Sequence, residues 1–364
     1  MGAERLAPLS TEGDAPAPAA PLEAPPDVAQ PDPPGPGGSS DVAPDEPEAS
    51  AAPPPSGGRK LELALPIELE VHGRVLMELS ADERDAWDRQ LEMSSARLGL
   101  EARVGIVKTV VEADLASDPL VEDAYVRIDL PRAARLTAGR FKAPFSERRL
   151  ASSWALPLVT RGLVDRYLVR RNGLGGRRLG VAGALRPWGG RVEATAGFFA
   201  GDPDALETER DAGEDWAGRV AVRTWDALEL GVSGYRAGEG SGLAAAPSRH
   251  AAGAFASVDL GAFEATAEGF AGRIVEGPFT AGTALLAWRL RVGHGGRLRI
   301  TPVAGAEALR LSDATGGAVG YGAIAGAVIS WTEGLKVKLQ GEWARRPGDT
   351  TPASALAAEV GTRF

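Results

Sequence analysis

The sequence contains no cysteine, only three histidines, few aromatic residues (6%) and no apolar run as long as a transmembrane helix. Without cysteine, neither disulfides nor thiolate metal sites stabilise the fold. His72, His250 and His294 are scattered and have no second ligand at metal-site spacing. A membrane helix needs about 20 mostly apolar residues, which excludes a helical membrane protein. A search for long apolar runs does not detect strands that are apolar on only one face, so this observation does not exclude a membrane β-barrel.

Motifs for catalysis and nucleotide binding are also missing. The chain has neither a Gly-x-Ser-x-Gly elbow nor a P-loop. The glycine-rich stretch at 320–326 has the wrong spacing for a nucleotide loop and lies inside a strand pattern. Basic residues are not interleaved with aromatics on one face, which argues against nucleic acid as a partner. We therefore predict a protein that is not an enzyme and that uses no cofactor, metal or nucleic acid.

Charge and proline divide the chain into two parts. Residues 1–60 carry 15 of the 27 prolines, with ten acidic and three basic side chains, a net charge of −7. Such a segment buries too little apolar surface to fold, so we predict a disordered Pro/Ala-rich acidic tail over 1–60 and a folded domain over 61–364. No basic region followed by an apolar core opens the chain, so no signal peptide is visible.

From residue 65 onward, apolar and polar side chains alternate with period two. Ile67, Leu69 and Val71, for example, oppose Glu68 and Glu70, which is typical of a strand with one apolar face. Sixteen such segments are predicted, at 66–80, 90–103, 105–115, 121–130, 135–143, 178–187, 190–201, 215–225, 227–237, 250–260, 262–273, 279–292, 297–311, 318–331, 334–345 and 353–364. The break near Gly105 is the least clear of the boundaries. The chain is therefore predicted to be all-β.

The connections favour a closed membrane barrel over a soluble β protein. From the sixth strand onward, short turns alternate with longer loops, which is the layout of antiparallel outer-membrane barrels. Trp188, Trp225 and Trp331 lie beside short turns, as in an interfacial aromatic girdle. The last strand ends at Phe364, similar to the C-terminal aromatic of bacterial outer-membrane proteins. Sixteen strands in an open sheet would leave edges, whereas a closed barrel has none.

A long segment after the fifth strand carries most of the excess positive charge. Between residues 140 and 178 there are ten basic and two acidic side chains, a net charge of +8 in a chain whose formal charge is −9. Loops of this length inside a compact protein are usually functional. We predict that it folds into the barrel and offers a path for anions, since arginine binds phosphate and carboxylate oxygens through its planar fork. The candidate anion-binding or constriction residues are Arg140, Lys142, Arg148, Arg149, Arg161, Arg166, Arg170 and Arg171. Same-face pairs at Arg289 and Arg291, Arg297 and Arg299, and Lys336 and Lys338 are expected to add to the charged wall.

The same segment resembles one known family. Gly139–Phe145 reads Gly-x-Phe-Lys-x-Pro-Phe, 161–164 reads Arg-x-Leu-Val, and 170–173 reads Arg-x-x-Gly. These motifs are similar to those of the phosphate-selective porins O and P. The resemblance implies a sixteen-stranded antiparallel transmembrane barrel of the bacterial outer membrane, with an inward-folded third extracellular loop and a homotrimeric assembly. Strand counting also makes 144–177 the third loop on the long-loop side.

The interpretation of the sequence is thus an outer-membrane porin for passive diffusion of small solutes, with a preference for anions such as phosphate. Two alternatives remain: a general or carbohydrate-type diffusion porin, or a structural barrel with a plugged lumen. The arginines also admit other roles, since they are able to pair with acids on the wall or to bind phosphates of lipopolysaccharide. Outer-membrane lipid and lipopolysaccharide are expected partners.

Overall fold

The computed structural model describes residues 67–201, 213–238, 248–292, 298–312, 317–332 and 334–364. The predicted tail at 1–60 lies outside these residues. Within them, no helix is long and apolar enough to cross a membrane.

The described part of the chain forms sixteen strands, one of them interrupted. They are β1 (Ile67–Asp82), β2 (Arg89–Val104), β3 (Val107–Asp114), β4 (Val121–Leu130), β5 (Ala134–Lys142), β6 (Arg177–Leu185), β7 (Val192–Ala200), β8 (Glu214–Trp225), β9 (Leu228–Ala237), β10 (Arg249–Asp259), β11 (Phe263–Ile274), β12 (Gly277–Trp288 and Leu290–Val292), β13 (Leu298–Leu311), β14 (Ala318–Thr332), β15 (Leu335–Arg345) and β16 (Ala353–Arg363).

Every strand pairs antiparallel with its neighbours in sequence, and β1 also pairs with β16, with Arg74 opposite Arg363 and Leu76 opposite Gly361. The sheet is therefore a closed barrel, as predicted. The uncertain boundary near Gly105 is a real turn: Val104 pairs with Val107, and Gly105 has a positive φ of 57°. Glycine adopts this conformation without the steric cost that a Cβ would add.

The alternating apolar and polar residues of the strands form the outer and inner faces of the barrel. Ile67, Leu69, Val71, Leu339 and Val360 are exposed on the outer face. Buried charged side chains such as Glu268, Glu307 and Lys338 lie on the opposite, inner face. Burying a charge is costly unless it is paired, so these inner positions need partners, which the long segment provides.

Aromatic side chains are exposed near both ends of the barrel. Trp188, Trp225 and Trp331, which the sequence placed beside short turns, are 75%, 70% and 60% exposed. Near the other end of the barrel, Trp216 of β8 and Trp343 of β15 are also exposed. Two such belts are typical of a barrel that spans a membrane.

The segment between β5 and β6 runs from residue 143 to 176 and holds two short helices, α1 (Glu147–Leu150) and α2 (Gly162–Asp165), the latter continuing as a wide turn at Arg166–Arg171. Pro144 cannot donate to the sheet ladder, which ends β5. Ser146 then caps α1, its Oγ accepting a hydrogen bond from the Arg149 backbone N–H at 3.2 Å. After the wide turn, Gly173 has a positive φ of 64°, as is common where a helix ends. We call residues 143–176 the long segment below.

Candidate functional site

Two carboxylates on the inner face hold the first half of the long segment. Glu268 on β11 accepts hydrogen bonds from Ser146 Oγ (2.9 Å) and the Arg148 backbone N–H (3.1 Å). Glu307 on β13 accepts from Arg148 Nη1 at 2.6 Å and from the backbone N–H groups of Leu163 and Val164. Glu307 therefore receives the unpaired N–H groups at the start of α2, where negative charge is favoured.

Gly162 is required at the point where α2 meets Glu307. Its φ is +82°, and a Cβ built on it would lie 2.2 Å from the Glu307 Oε1 atom. A side chain here would therefore meet both backbone strain and a steric clash with the buried carboxylate.

The middle of the long segment is bound to β15. Lys338 Nζ donates to the Ser153 carbonyl at 2.7 Å and forms an ion pair with Glu359 of β16 at 2.8 Å. Gln340 Oε1 accepts from the Val159 backbone N–H at 2.8 Å. These bonds satisfy polar groups that burial would otherwise leave unpaired, since Lys338 and Gln340 are only 2% and 5% exposed.

Asn172 fixes the other end of the segment and is fully buried. Its side-chain amide donates to Glu276 Oε2 at 3.1 Å, and its Oδ1 accepts from the Val275 backbone N–H at 3.0 Å. Arg249 of β10 donates to its backbone carbonyl at 2.6 Å. The segment is thus held by strands on several sides of the barrel.

Apolar packing adds more than these polar bonds. Side chains of the long segment form one buried cluster with the inner face of β6–β13, and the segment contributes Ala143, Phe145, Leu163, Val164, Tyr167, Leu168, Val169 and Leu174. Phe145 is fully buried, and its ring centroid lies 5.7 Å from that of Tyr235 and 5.6 Å from that of Phe270. Full burial of such a side chain contributes about 1.5–3 kcal/mol, against a net contribution of about 0.5–1.5 kcal/mol for a typical hydrogen bond. Packing therefore dominates the placement of the segment.

A cavity of about 760 Å³ lies on the other side of the long segment, against β1–β6 and β16. Its basic lining residues are Arg74, Arg97, Arg140, Lys142, Arg149, Arg161, Arg170, Arg177 and Arg178. Its acidic lining residues are Glu78, Glu112, Asp118, Glu122, Asp123 and Glu359. Nine bases against six acids give the lining a formal charge of +3.

A second cavity of about 530 Å³ adjoins the first one. The two share Arg74, Arg97, Glu112 and Ser152 in their linings. The first is also lined by Asp118, in the β3–β4 connection, and the second by Gly334, in the β14–β15 connection. These two connections lie at opposite ends of the barrel, because successive connections of an antiparallel meander alternate between ends.

Within the described part of the chain, ion pairs involve four of the six acids of the first cavity and four of its nine bases, since Arg149 also pairs with Asp165 and Arg178 with Asp215. Arg177 pairs with Glu122 and with Asp123, the latter at 2.8 Å. Arg97 pairs with Glu112, and Glu359 is paired with Lys338, which is not in the lining.

Several bases of the lining bind backbone carbonyls instead. Lys142 Nζ donates to the carbonyls of Leu150 and Ala151, at 2.9 and 3.0 Å. Arg161 donates to the carbonyls of Arg148 and Ala151. A carbonyl satisfies the hydrogen bond without cancelling the charge, so the guanidinium of Arg161 keeps its positive charge.

The basic groups of the long segment influence one another. Burial first, and the charge of Arg149 second, lower the pKa of Arg161 to about 10. Burial likewise lowers the pKa of Arg149, against the opposing effect of Asp165. Both side chains stay protonated at neutral pH, as expected for arginine.

Of the eight residues proposed from sequence, five line the first cavity: Arg140, Lys142, Arg149, Arg161 and Arg170. Arg148 instead points to Glu307. Arg171 is exposed and pairs with Glu276, its guanidinium 5.4 Å from the Tyr167 ring centroid. Arg166 is half-buried and is absent from that lining.

The same-face pairs on the later strands have other roles. Lys336 and Lys338 donate to carbonyls of the long segment, Trp154 and Ser153. Arg289 pairs with Asp259 and Glu264. Arg291 and Arg299 are exposed and directly opposite each other, and Arg297 lies outside the described residues.

Sequence reasoning missed the residues that hold the long segment: Glu268, Glu307, Asn172 and the apolar cluster. A signal existed for the two acids, because each is the single charged residue in an otherwise small or apolar stretch, ATAEGF and AGAEAL. Among the described residues, no group of three or more His, Asp or Glu side chains is arranged to hold a metal ion.

Comparison with known proteins agrees with this architecture. The barrel is similar to OmpT of Vibrio cholerae in its trimer form (TM-score 0.62, 11% identity, 82% of this chain and 99% of that chain). It is also similar to an anion-selective porin from Comamonas acidovorans (0.56, 14%, 82% and 99%) and to the outer-membrane channel DcaP of Acinetobacter baumannii (0.58, 10%, 82% and 97%). At these identities the likeness concerns the fold. No curated protein matches the chain in sequence.

The family comparison covers the long segment and, apart from β16, the strands that line the first cavity. Residues 74–237 match the model of phosphate-selective porin O and P, which confirms the resemblance predicted from the motifs in 139–173. Together with the porin fold, this match indicates a channel and not an enzyme, and it supports an outer-membrane location. Residues 74–237 thus match the phosphate-selective porin O and P family, within a closed sixteen-stranded barrel of the outer-membrane porin fold.

Proposed function

We propose that this protein is an outer-membrane porin that conducts small anions, phosphate-like solutes among them, past a constriction formed by the inward-folded long segment. The observation that carries the proposal is the first cavity, with its excess of bases over acids. An anion that enters a narrow passage loses hydration, and fixed positive charge offsets that cost. Several separate bases allow the anion to move from one to the next and to leave.

The apolar cluster supports a passage displaced to one side of the barrel. Apolar packing covers the inner face of β6–β13, and the two adjoining cavities lie against β1–β6 and β16. A solute crossing by this path meets Lys142, Arg149 and Arg161. The shared lining of the two cavities favours an open path over a plugged structural barrel.

A trimer of this chain is part of the same proposal. It is supported by the family resemblance and by the trimer form of the Vibrio cholerae barrel with a similar fold. Native mass spectrometry of the detergent-extracted protein measures the number of copies directly, and a monomer alone would contradict this part.

Planar-bilayer recording tests the proposed function. In a gradient of potassium chloride, the wild-type reversal potential should indicate anion preference, and added phosphate should reduce the chloride current. The variant Arg149→Gln/Arg161→Gln/Arg170→Gln should shift the reversal potential toward cations. The matched control is Arg166→Gln/Arg171→Gln, which removes charge from the same segment outside the cavity and should shift it less.

Different outcomes would favour the alternatives. A cation-selective or non-selective open channel indicates a general or carbohydrate-type diffusion porin. A folded barrel that gives no current indicates a plugged structural protein. Equal shifts in the two variants would count against a constriction at the first cavity.

A further inference from the structure

On β9–β13, four basic side chains are exposed on the outer face of the barrel, at the end where the long segment begins. They are Arg236 on β9, His250 on β10, Arg273 on β11 and Arg310 on β13. Each occupies the outward position nearest that end of its strand. We call these four residues the outer basic row.

The strand register brings the four side chains together. Arg236 lies directly opposite His250, and His250 directly opposite Arg273. Arg310 lies opposite Thr280 on the intervening strand β12, and Thr280 pairs with Ala271, so Arg310 is one outward position nearer the middle of the barrel than Arg273. Neighbouring strands are about 4.8 Å apart, so the row spans roughly 20 Å of the barrel surface.

The described part of the chain offers these side chains no carboxylate partner. No ion pair or hydrogen bond joins them to another described residue. The guanidinium groups of Arg236, Arg273 and Arg310 place three positive charges along this arc, which favours binding of an external anion. Elsewhere on the same rim, outward positions carry apolar or aromatic side chains such as Phe198, Val319 and Trp343, together with single charged residues, Arg89 and Glu214.

The surroundings place the row at the boundary between an apolar layer and water. At the next outward-facing position toward the middle of the barrel, β10, β11 and β13 carry Ala252, Ala271 and Ala308. Trp216 pairs directly with Arg236 and is exposed in the aromatic belt of this rim. Aromatic belts mark the level of lipid head groups.

We propose that the outer basic row binds the phosphorylated head group of an anionic lipid in the leaflet at this rim, with the acyl chains lying on the small outward side chains below. The inference rests on the proposed outer-membrane location and is independent of what the channel conducts. Arginine suits this role because its planar fork donates two hydrogen bonds to phosphate oxygens.

Native mass spectrometry of the full chain in detergent tests this inference, with diphosphoryl lipid A as the probe and phosphatidylcholine as the neutral reference. Wild-type protein should retain lipid A in preference to phosphatidylcholine. The variant Arg236→Gln/Arg273→Gln/Arg310→Gln should bind lipid A about a hundredfold more weakly, since each lost charge near an anionic surface costs roughly fivefold. The corresponding triple lysine variant should retain most of the binding.

The matched control is Arg291→Gln/Arg299→Gln, which removes an exposed cross-strand pair at the opposite rim and should leave lipid A binding unchanged. Heat-modified gel migration checks that every variant forms the barrel. A folded triple glutamine variant that still binds lipid A like wild type would overturn the inference. Displacement of lipid A by an equal concentration of inorganic phosphate would assign the row to the free anion instead and would also overturn it. A barrel that binds lipid A but carries no current would contradict the proposed channel function and still support this lipid site.

Discussion

At the scale of single residues, one buried carboxylate organises the long segment. Glu307 accepts two backbone N–H groups and the guanidinium of Arg148, and Gly162 leaves the space that it occupies. Removing one partner of a buried charge pair leaves the other uncompensated, whereas removing both is often nearly neutral. Comparing a variant that removes Glu307 alone with one that removes both Glu307 and Arg148 therefore isolates the effect of the uncompensated charge on stability.

Glu307→Gln should lower the free energy of unfolding by about 3 kcal/mol, because Arg148 then stays buried without its carboxylate. The double variant Glu307→Gln/Arg148→Met should recover part of that loss. Urea titration in lipid vesicles, followed by tryptophan fluorescence, measures both values. A double variant as unstable as the single one would show that the uncompensated charge is not the cause.

Gly162→Ala should cost roughly 2 kcal/mol of stability, from the left-handed backbone and the contact with Glu307. Gly183→Ala is the matched control, because a Cβ on Gly183 meets no atom within 4 Å. The same urea titration compares them. Equal effects of the two substitutions would contradict the steric argument.

At the scale of structural elements, the long segment forms a small apolar core together with buried side chains of the barrel strands. Its apolar side chains pack on strands whose inner positions are themselves apolar, such as Phe199, Phe270 and Leu309. Polar anchors at its ends and middle set its direction. Loss of packing should therefore release the segment before it opens the barrel.

Phe145→Ala should loosen residues 143–176 and cost about 3–5 kcal/mol, the usual range for truncating a buried phenylalanine. Trypsin digestion measures the effect, since arginines of the segment become accessible when it detaches. Phe263→Ala, on the exposed outer face, is the control and should leave the digestion pattern unchanged. Equal resistance of Phe145→Ala and wild type would show that the aromatic cluster does not hold the segment.

At the scale of the whole molecule, the proposed selectivity depends on fixed charge instead of a tight binding pocket. It should therefore weaken as salt rises, since the screening length falls from about 10 Å at 0.1 M to about 3 Å at 1 M. Reversal potentials measured at increasing potassium chloride, with the gradient ratio held constant, test this expectation. Selectivity that does not change with salt would indicate direct dehydrated binding of the anion.

Much of the barrel was predictable because it depends on local alternation. The sixteen segments, the turn at Gly105 and the exposed tryptophans follow from residues adjacent in sequence, and the structure confirms them. The packing of the long segment was not predictable in this way. Phe270 and Ile274 alternate as inner residues of β11, but their partners, Phe145 and Leu174 among them, are about a hundred residues away.

The candidate site shows the same limit at the level of charge. The positive segment was evident from counting, yet the count did not separate Arg161, in the cavity lining, from Arg148, which compensates Glu307. That distinction depends on a carboxylate 159 residues further along the chain than Arg148. Sequence reasoning thus located the region, and three-dimensional contacts assigned the roles within it.

Because packing occupies one arc of the inner wall, substitutions should divide into two kinds according to the strand that carries them. Changes on the inner face of β7–β13 should act on folding and leave the permeant solute unaltered. Changes on β1–β5, or on the cavity side of residues 143–176, should alter which solutes permeate and should destabilise the fold little. Substitutions intended to change the permeant solute should therefore be made first in the amino-terminal third of the barrel.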